Sequence, residues 1–226
     1  MIARAVLFDL DGTLIDTTDL ILLSCAHTFE RHIGTTPSRD ALIATFGRSL
    51  PEALREFARD VGLADPDTAA DEMLATYRAH NDEHHDALIR DFPGVPGMLD
   101  ALQRTHRLGV VTSKREGTAR RGLDRYNLAH YFEVAVFHDD TDRHKPDPEP
   151  LFAAAGRLGL SVDDVVYVGD SVHDIVAGRA AGIRTIAALW GPFARADLER
   201  VGPDAVAEAP RDVLRLLGVD DQAGSQ

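Results

Sequence analysis

From Gly97 onward, short apolar runs alternate with stretches of helical periodicity, and this alternation restricts the possible folds more than any other feature of the chain. Apolar runs at 108–112, 134–137, 165–168 and 184–188 read as strands, with a weaker sixth strand through Ala205 and Val206. Helices are expected to start near Met98, Gly117, Glu149 and His173, between or after these runs. Strands separated by helices are joined by crossovers rather than hairpins, so the sheet is expected to be parallel and covered on both faces. The expected class is α/β.

The first strand lies far upstream, in Val6-Leu7-Phe8-Asp9-Leu10-Asp11-Gly12-Thr13. Its apolar run breaks into two carboxylates, a glycine and a threonine. Extended backbone sends alternate residues to one side, so Asp9 and Asp11 share a side, and Gly12 allows a close turn around whatever they hold. Two carboxylates this close repel, and a divalent cation, Mg2+, between oxygen ligands relieves the repulsion. The alternative is an acidic turn with no ligand, since Asp and Gly are common turn residues.

Between this strand and Gly97 the pattern is helical. Thr18 opens a helix with Leu20, Ile21, Leu23, Cys25 and Phe29 on one face. Ser49 and Glu52 have capping-box spacing, with Pro51 tolerated in the first turn. A third apolar face runs through Ala70, Met73, Leu74 and Tyr77. These segments read as a small helical bundle, closed by a proline- and glycine-bearing linker from Asp91 to Gly97. Residues 220–226 read as a frayed tail.

Composition narrows the partners. With 226 residues, 44% hydrophobic and 27% charged, the chain is long enough for one large domain or a core with an inserted subdomain. A formal net charge of -13 argues against nucleic acid, whose binding rests on clustered Lys and Arg. An acidic protein that takes an anionic substrate needs a local cation, which fits a metal at the Asp9 turn. The single Cys25 cannot form an internal disulfide and reads as a buried small hydrophobe. No signal-peptide pattern or long apolar span is visible, so a cytoplasmic protein with no membrane partner is expected.

Polar residues gather at the C-terminal ends of three expected strands: Asp9, Thr112 with Ser113, and Asp170. Ligands of open parallel sheets bind outside those ends. Lys145 sits in His144-Lys145-Pro146-Asp147-Pro148-Glu149-Pro150, a stiff loop that leads into a helix, where a solvated lysine is the plain alternative. Gly169-Asp170-Ser171-Val172-His173-Asp174 is again strand then turn, with two acids that also suit helix capping.

In this order, Asp9-Leu10-Asp11-Gly12-Thr13, Thr112-Ser113, Lys145-Pro146 and Gly169-Asp170 with Asp174 resemble the four motifs of the haloacid dehalogenase superfamily, over nearly the whole chain. The helical insertion after the first motif resembles the cap of its phosphoglycolate-phosphatase-like branch. Within that branch, Tyr77-Arg78-Ala79-His80-Asn81, His84-His85-Asp86 and the proline-rich loop look most like the bacterial inorganic pyrophosphatases of this type. The resemblance implies a Rossmann-like core of residues 1–16 and 92–226, with a helical cap of residues 17–91.

It also implies roles. Asp9 would attack phosphorus and become an aspartyl phosphate, while Asp11 would act as acid and then base. Thr112 would hydrogen-bond the phosphoryl oxygens, with the Ser113 N–H, and Lys145 would neutralise developing charge. Mg2+ would be held by Asp9, the main chain of Asp11, and Asp170, with Asp174 orienting ligands or Lys145. Arg48, in Phe46-Gly47-Arg48-Ser49-Leu50, has two readings: a contact to a remote anionic group of the substrate, or a surface arginine before a helix. His80 and His84 share a helix face, but with no third ligand a solvated polar face is the better reading.

The expected function is therefore a Mg2+-dependent phosphohydrolase acting on a small phosphorylated metabolite, with pyrophosphate as a candidate. The alternatives are a phosphatase of phosphoglycolate or other sugar or metabolite phosphates, a phosphomutase resembling β-phosphoglucomutase, and a non-catalytic phosphate-binding or signalling protein. Asp11 and Asp170 argue against a true dehalogenase. The absence of lysine before His106 argues against a Schiff-base phosphonate hydrolase.

Overall fold

A computed structural model describes residues 3–219, and the expected tail at 220–226 lies outside them. The chain begins with β1 (Ala5–Phe8) and a two-residue strand β2 (Ile15–Asp16), followed by α1 (Thr18–Ile33), α2 (Arg39–Ile43), α3 (Leu50–Asp60) and α4 (Pro66–Leu88). After β3 (Arg90–Asp91) come α5 (Val95–Leu102), β4 (Arg107–Val111), α6 (Glu116–Arg125), β5 (Val134–Val136), α7 (Glu149–Leu158) and β6 (Val165–Gly169). The chain continues with α8 (Val172–Ala180), β7 (Arg184–Ala188), α9 (Arg195–Arg200), β8 (Ala205–Ala207) and α10 (Pro210–Leu217).

Six strands form one sheet in the order β5-β4-β1-β6-β7-β8, every pair parallel. All six were expected from their apolar runs. The order reverses at β1: the next two strands of the sheet lie on one side of it and the last three on the other. A crevice opens at such a switch point, outside the carboxyl ends of the strands. The register aligns Phe8 with Val110 on one side and Val168 on the other, so the residues after these three emerge together at one edge.

Strand alternation divides the core into two layers. Val6 and Phe8 point into a cluster with Met98, Leu99, Leu123, Val213 and Leu214 from α5, α6 and α10. Ala5 and Leu7 point the other way, against Leu151, Ala154, Leu158 and Ala177 of α7 and α8. A third cluster, with Cys25, Phe29, Leu42, Leu54, Met73 and Tyr77, is the bundle's own core, and Cys25 is buried in it. A fourth joins the bundle to the sheet layer, with Ile43 packed among Ile175, Ala187, Phe193 and Leu198.

Two local expectations change. The linker after Arg90 begins as β3, paired antiparallel with β2 through Ile15 and Asp91; two-residue strands have no periodicity to read. Ser49 does occupy the N-cap of α3, but its side chain makes no capping hydrogen bond, so the expected box with Glu52 does not form. Ser49 is instead buried in a loop drawn onto the sheet edge. Among the described residues, no helix is long and apolar enough to cross a membrane.

Candidate active site

Asp9 follows β1, and its backbone N–H still donates to Val168 O at 2.9 Å, which fixes it at the sheet edge. Lys145 arrives from the proline-rich loop and is almost wholly buried, at 1% exposure. Its ammonium has three protons and meets Asp9 Oδ1 at 2.6 Å, Asp174 Oδ1 at 2.7 Å and the Tyr167 hydroxyl at 3.0 Å, with the Val111 carbonyl farther off at 3.4 Å. The Tyr167 hydroxyl donates onward to Asp174 Oδ1 at 2.8 Å. Asp174 Oδ2 accepts from Ser171 N at 3.0 Å and Ser171 Oγ at 2.6 Å. Ser171 caps α8 and accepts from Asp174 N, so Asp174 serves the helix and the lysine together.

Asp170 is held by Thr13, whose hydroxyl donates to Oδ1 at 2.7 Å. Gly12, at φ +87°, presses against this carboxylate: a Cβ there would lie 2.4 Å from Asp170 Oδ2. The close approach therefore requires glycine. Asp11 faces a cavity of about 130 Å³, where its carboxylate pairs with Lys114 Nζ at 2.7 Å. Thr112 Oγ1 accepts from Lys114 N at 3.1 Å, and among the described residues its own hydroxyl proton has no acceptor. Ser113 Oγ donates to Gly47 O in the bundle at 2.7 Å.

The cavity lies between the bundle and the sheet edge. The edge contributes Asp9, Asp11, Thr112 and Lys114; the bundle contributes Phe46, Gly47, Arg48, Tyr77 and Arg78. The Arg48 guanidinium is already bound in a two-pronged pair with Glu56, at 2.8 and 2.7 Å. His27, His80 and His84 stack along the bundle surface, with centroid separations of 4.6 and 4.2 Å.

Residues 6–188 match the family model of the haloacid dehalogenase-like hydrolases. The chain belongs to this family. Pyrophosphatase PpaX of Bacillus pumilus is 38% identical over 218 residues, covering 96% of this chain and 97% of that one. Pyrophosphatase PpaX of Halalkalibacterium halodurans is 36% identical over 217 residues, with 96% and 97% covered. Among solved structures, a hydrolase from Pseudomonas syringae superposes with a TM-score of 0.86 at 25% identity, covering 95% of this chain and 98% of that one. A candidate phosphoglycolate phosphatase from Lactobacillus plantarum gives 0.84 at 27% identity, covering 96% and 100%.

The electrostatics of this hydrolase's site are those of an incomplete charge balance. Burial, together with the Asp174 and Asp11 charges, pushes the Asp9 carboxyl up to about 7 against the pull of Lys145. Burial and the neighbouring Asp9 and Asp174 likewise hold Asp170 well above the usual carboxylate range. Burial opposes the charge of Lys145, but Asp174 and Asp9 outweigh it and hold the lysine above its ordinary value. Burial also disfavours ionised Asp174, yet Lys145, Ser171 and Tyr167 keep it below the usual range. Asp174 with Lys145 thus forms the satisfied pair, leaving Asp9 and Asp170 with surplus negative charge.

That surplus fits a divalent metal ion. Asp9, Asp170 and Asp174 each present a carboxylate oxygen within 4.8 Å of the others. Both oxygens of Asp174 are engaged, whereas Asp9 Oδ2 and Asp170 Oδ2 accept no hydrogen bond among the described residues. The Asp11 carbonyl likewise accepts no backbone hydrogen bond among them. Hard oxygen donors in this number suit a hard cation.

Sequence reasoning did not single out Lys114, Tyr167, Arg115 or His138, and met Arg78 only as part of the stretch from Tyr77 to Asn81. One signal was available for the first: the chain has two lysines, Lys114 and Lys145, and both stand at this site.

Proposed function

We propose that the protein is a Mg2+-dependent phosphohydrolase that works through an aspartyl phosphate, with pyrophosphate as its preferred substrate. The observation that carries this is Asp9, buried at the sheet edge beside Lys145, with one carboxylate oxygen left free and Asp11 and Thr112 facing the same cavity. The curated pyrophosphatases of similar length support the choice of substrate.

In the first half-reaction a carboxylate oxygen of Asp9 attacks phosphorus, the bond from phosphorus to the leaving oxygen breaks, and Asp11 supplies that oxygen with a proton. In the second, Asp11 takes a proton from water, the water oxygen attacks phosphorus, and the Asp9–phosphorus bond breaks to release phosphate. Thr112 uses its hydroxyl proton to hold a phosphoryl oxygen, with the Ser113 N–H beside it. Lys145 offsets the charge that builds on the transferred group, and Asp174 positions that lysine. Asp9, the Asp11 carbonyl and Asp170 would hold Mg2+, which screens the carboxylates from the phosphate and polarises a phosphoryl oxygen.

Residues 17–91 would act as the cap over a core of 1–16 and 92–226, hinged at the β2/β3 ribbon. Arg48 would contact a remote anionic group only by leaving Glu56. Phosphoglycolate is the principal alternative substrate, in line with the assignment carried by the Lactobacillus plantarum structure.

The test is Mg2+-dependent phosphate release from pyrophosphate, 2-phosphoglycolate, sugar phosphates, nucleotides and an aryl phosphate, ranked by kcat/KM. Asp9→Asn should abolish all turnover. Release that requires a bisphosphate activator would indicate a mutase, and no release from any substrate would sink the phosphohydrolase reading.

A further inference from the structure

Arg78 on α4 and Arg115 at the start of α6 both line the cavity. Among the described residues, neither guanidinium forms an ion pair or donates a side-chain hydrogen bond, unlike the neighbouring arginines. Arg48 is bound to Glu56, and Arg121 is bound to Asp86 and the Asp82 carbonyl. Asp82 and Asp139 lie nearby, but Asp139 Oδ2 accepts the Glu116 N–H at the start of α6, and neither acid closes on the two arginines. Partial burial, together with the neighbouring Arg115 charge, holds Arg78 below its ordinary pKa. His138, also on the cavity wall, has a buried Nδ1 with no partner and stacks on His144 at 4.0 Å.

Two adjacent, half-buried, unpaired guanidinium groups are unfavourable unless an anion joins them. They come from opposite walls of the cavity, one from the bundle and one from the sheet edge, while Asp9 and Thr112 occupy the reacting end. Resting on the phosphohydrolase reading above, we propose that Arg78 and Arg115, with His138 beside them, form a second anion subsite. It takes a phosphoryl group that is not transferred, which makes the preferred substrate a compact diphosphate.

Charge decides between a phosphoryl group and a carboxylate. Two guanidinium groups carry two full positive charges, which a phosphoryl group matches and a single carboxylate does not. Size agrees: about 130 Å³ is well below the roughly 300–1,000 Å³ of pockets for larger ligands. The subsite is also split between walls, so a bound diphosphate would hold the bundle against the sheet edge.

The experiment compares kcat/KM for pyrophosphate, 2-phosphoglycolate and phenyl phosphate in the wild type, Arg78→Gln, Arg115→Gln and the double variant. Each single variant should lose about tenfold to a hundredfold on pyrophosphate, the scale of a charge-assisted contact. Phenyl phosphate, which has no second anion, should change by less than about twofold; it also reports that the variants fold. Equal losses on both substrates, or none on pyrophosphate, would overturn the subsite. An equal loss on 2-phosphoglycolate would overturn its preference for a phosphoryl group. Should the wild type hydrolyse none of them, the phosphohydrolase reading fails by itself. Calorimetric binding of Mg2+-pyrophosphate then decides the subsite: weaker binding in the arginine variants supports it, and unchanged binding ends it.

Discussion

The Ser113 hydroxyl, just past β4, donates to the carbonyl of Gly47 in the loop between α2 and α3, at 2.7 Å. This bond ties the inserted bundle to the edge of the sheet, and two further features reinforce it. Ala44 O and His173 Nε2 lie 3.0 Å apart, and Gly47 sits so close to Ser171 that a Cβ would meet Ser171 Oγ at 2.4 Å. The contact surfaces from the two parts are therefore matched at backbone level.

Gly47→Ala should open this contact. Gly47 has φ +84°, where an L side chain costs roughly 1–2 kcal/mol, and its methyl group would also strike Ser171. An equilibrium shifted by that amount lowers kcat/KM about fivefold to thirtyfold. The thermal unfolding midpoint should fall by only a few degrees, while the loop at 44–49 becomes more susceptible to limited proteolysis. Unchanged kinetics would show that this docking does not matter to turnover.

Lys145→Met should destabilise the fold as well as abolish activity. It strands buried Asp9 and Asp174 without their shared cation, a loss of about 3–5 kcal/mol for a broken buried pair. Adding Asp9→Asn removes one of the stranded charges and should recover part of that loss in urea denaturation, with activity still absent. If the double variant is no more stable than Lys145→Met, the charge-balance account is wrong.

Divalent metal should stabilise the protein through Asp9 and Asp170. Ligand present at a hundred times its dissociation constant adds about 2.7 kcal/mol. Thermal melts with Mg2+ should therefore exceed those with a chelator, and Asp170→Asn should remove most of the difference. A wild-type midpoint indifferent to Mg2+ would count against the metal site.

Acidification should weaken the fold through buried histidines. Burial holds His106 below its ordinary 6.5, and its Nε2 has no hydrogen-bond partner among the described residues. The unfolded chain therefore binds this proton first. The neutral ring's contribution is complete above pH 6.5 and is lost as the pH falls from 6.5 through the lowered folded value. Measured against the opposing proton uptake of Asp9 and Asp170, this should make the wild-type urea midpoint fall relative to that of His106→Gln as the pH drops below about 6.5, which isolates part of the loss due to histidine. His85 and His173, lowered by burial in the same way, should account for some of the remainder.

Much of the site is legible in the chain because its residues sit at strand ends. Asp9, Thr112 and Asp170 each follow an apolar run, and a parallel sheet brings such ends to one edge whatever its exact order. Lys145 and Asp174 were recognisable from motifs, but not their shared dependence on the Tyr167 hydroxyl. That tyrosine sits inside β6 and reads as another core residue. Arg48 shows the opposite limit: its loop left a substrate contact and a surface arginine equally open, and its guanidinium is bound to Glu56 in the second turn of α3.

The sequence alone determined the α/β class, the insertion after the first strand and the acidic turn, because periodicity and turn chemistry act over a few neighbouring residues. Only the tertiary structure decided which cations face the cavity. Lys114 meets Asp11 across 103 positions of chain, and Arg78 on α4 lines the same cavity as Arg115 at the start of α6. Such pairings depend on how the bundle docks, and that is set by contacts such as Ser113 with Gly47, which no local pattern encodes.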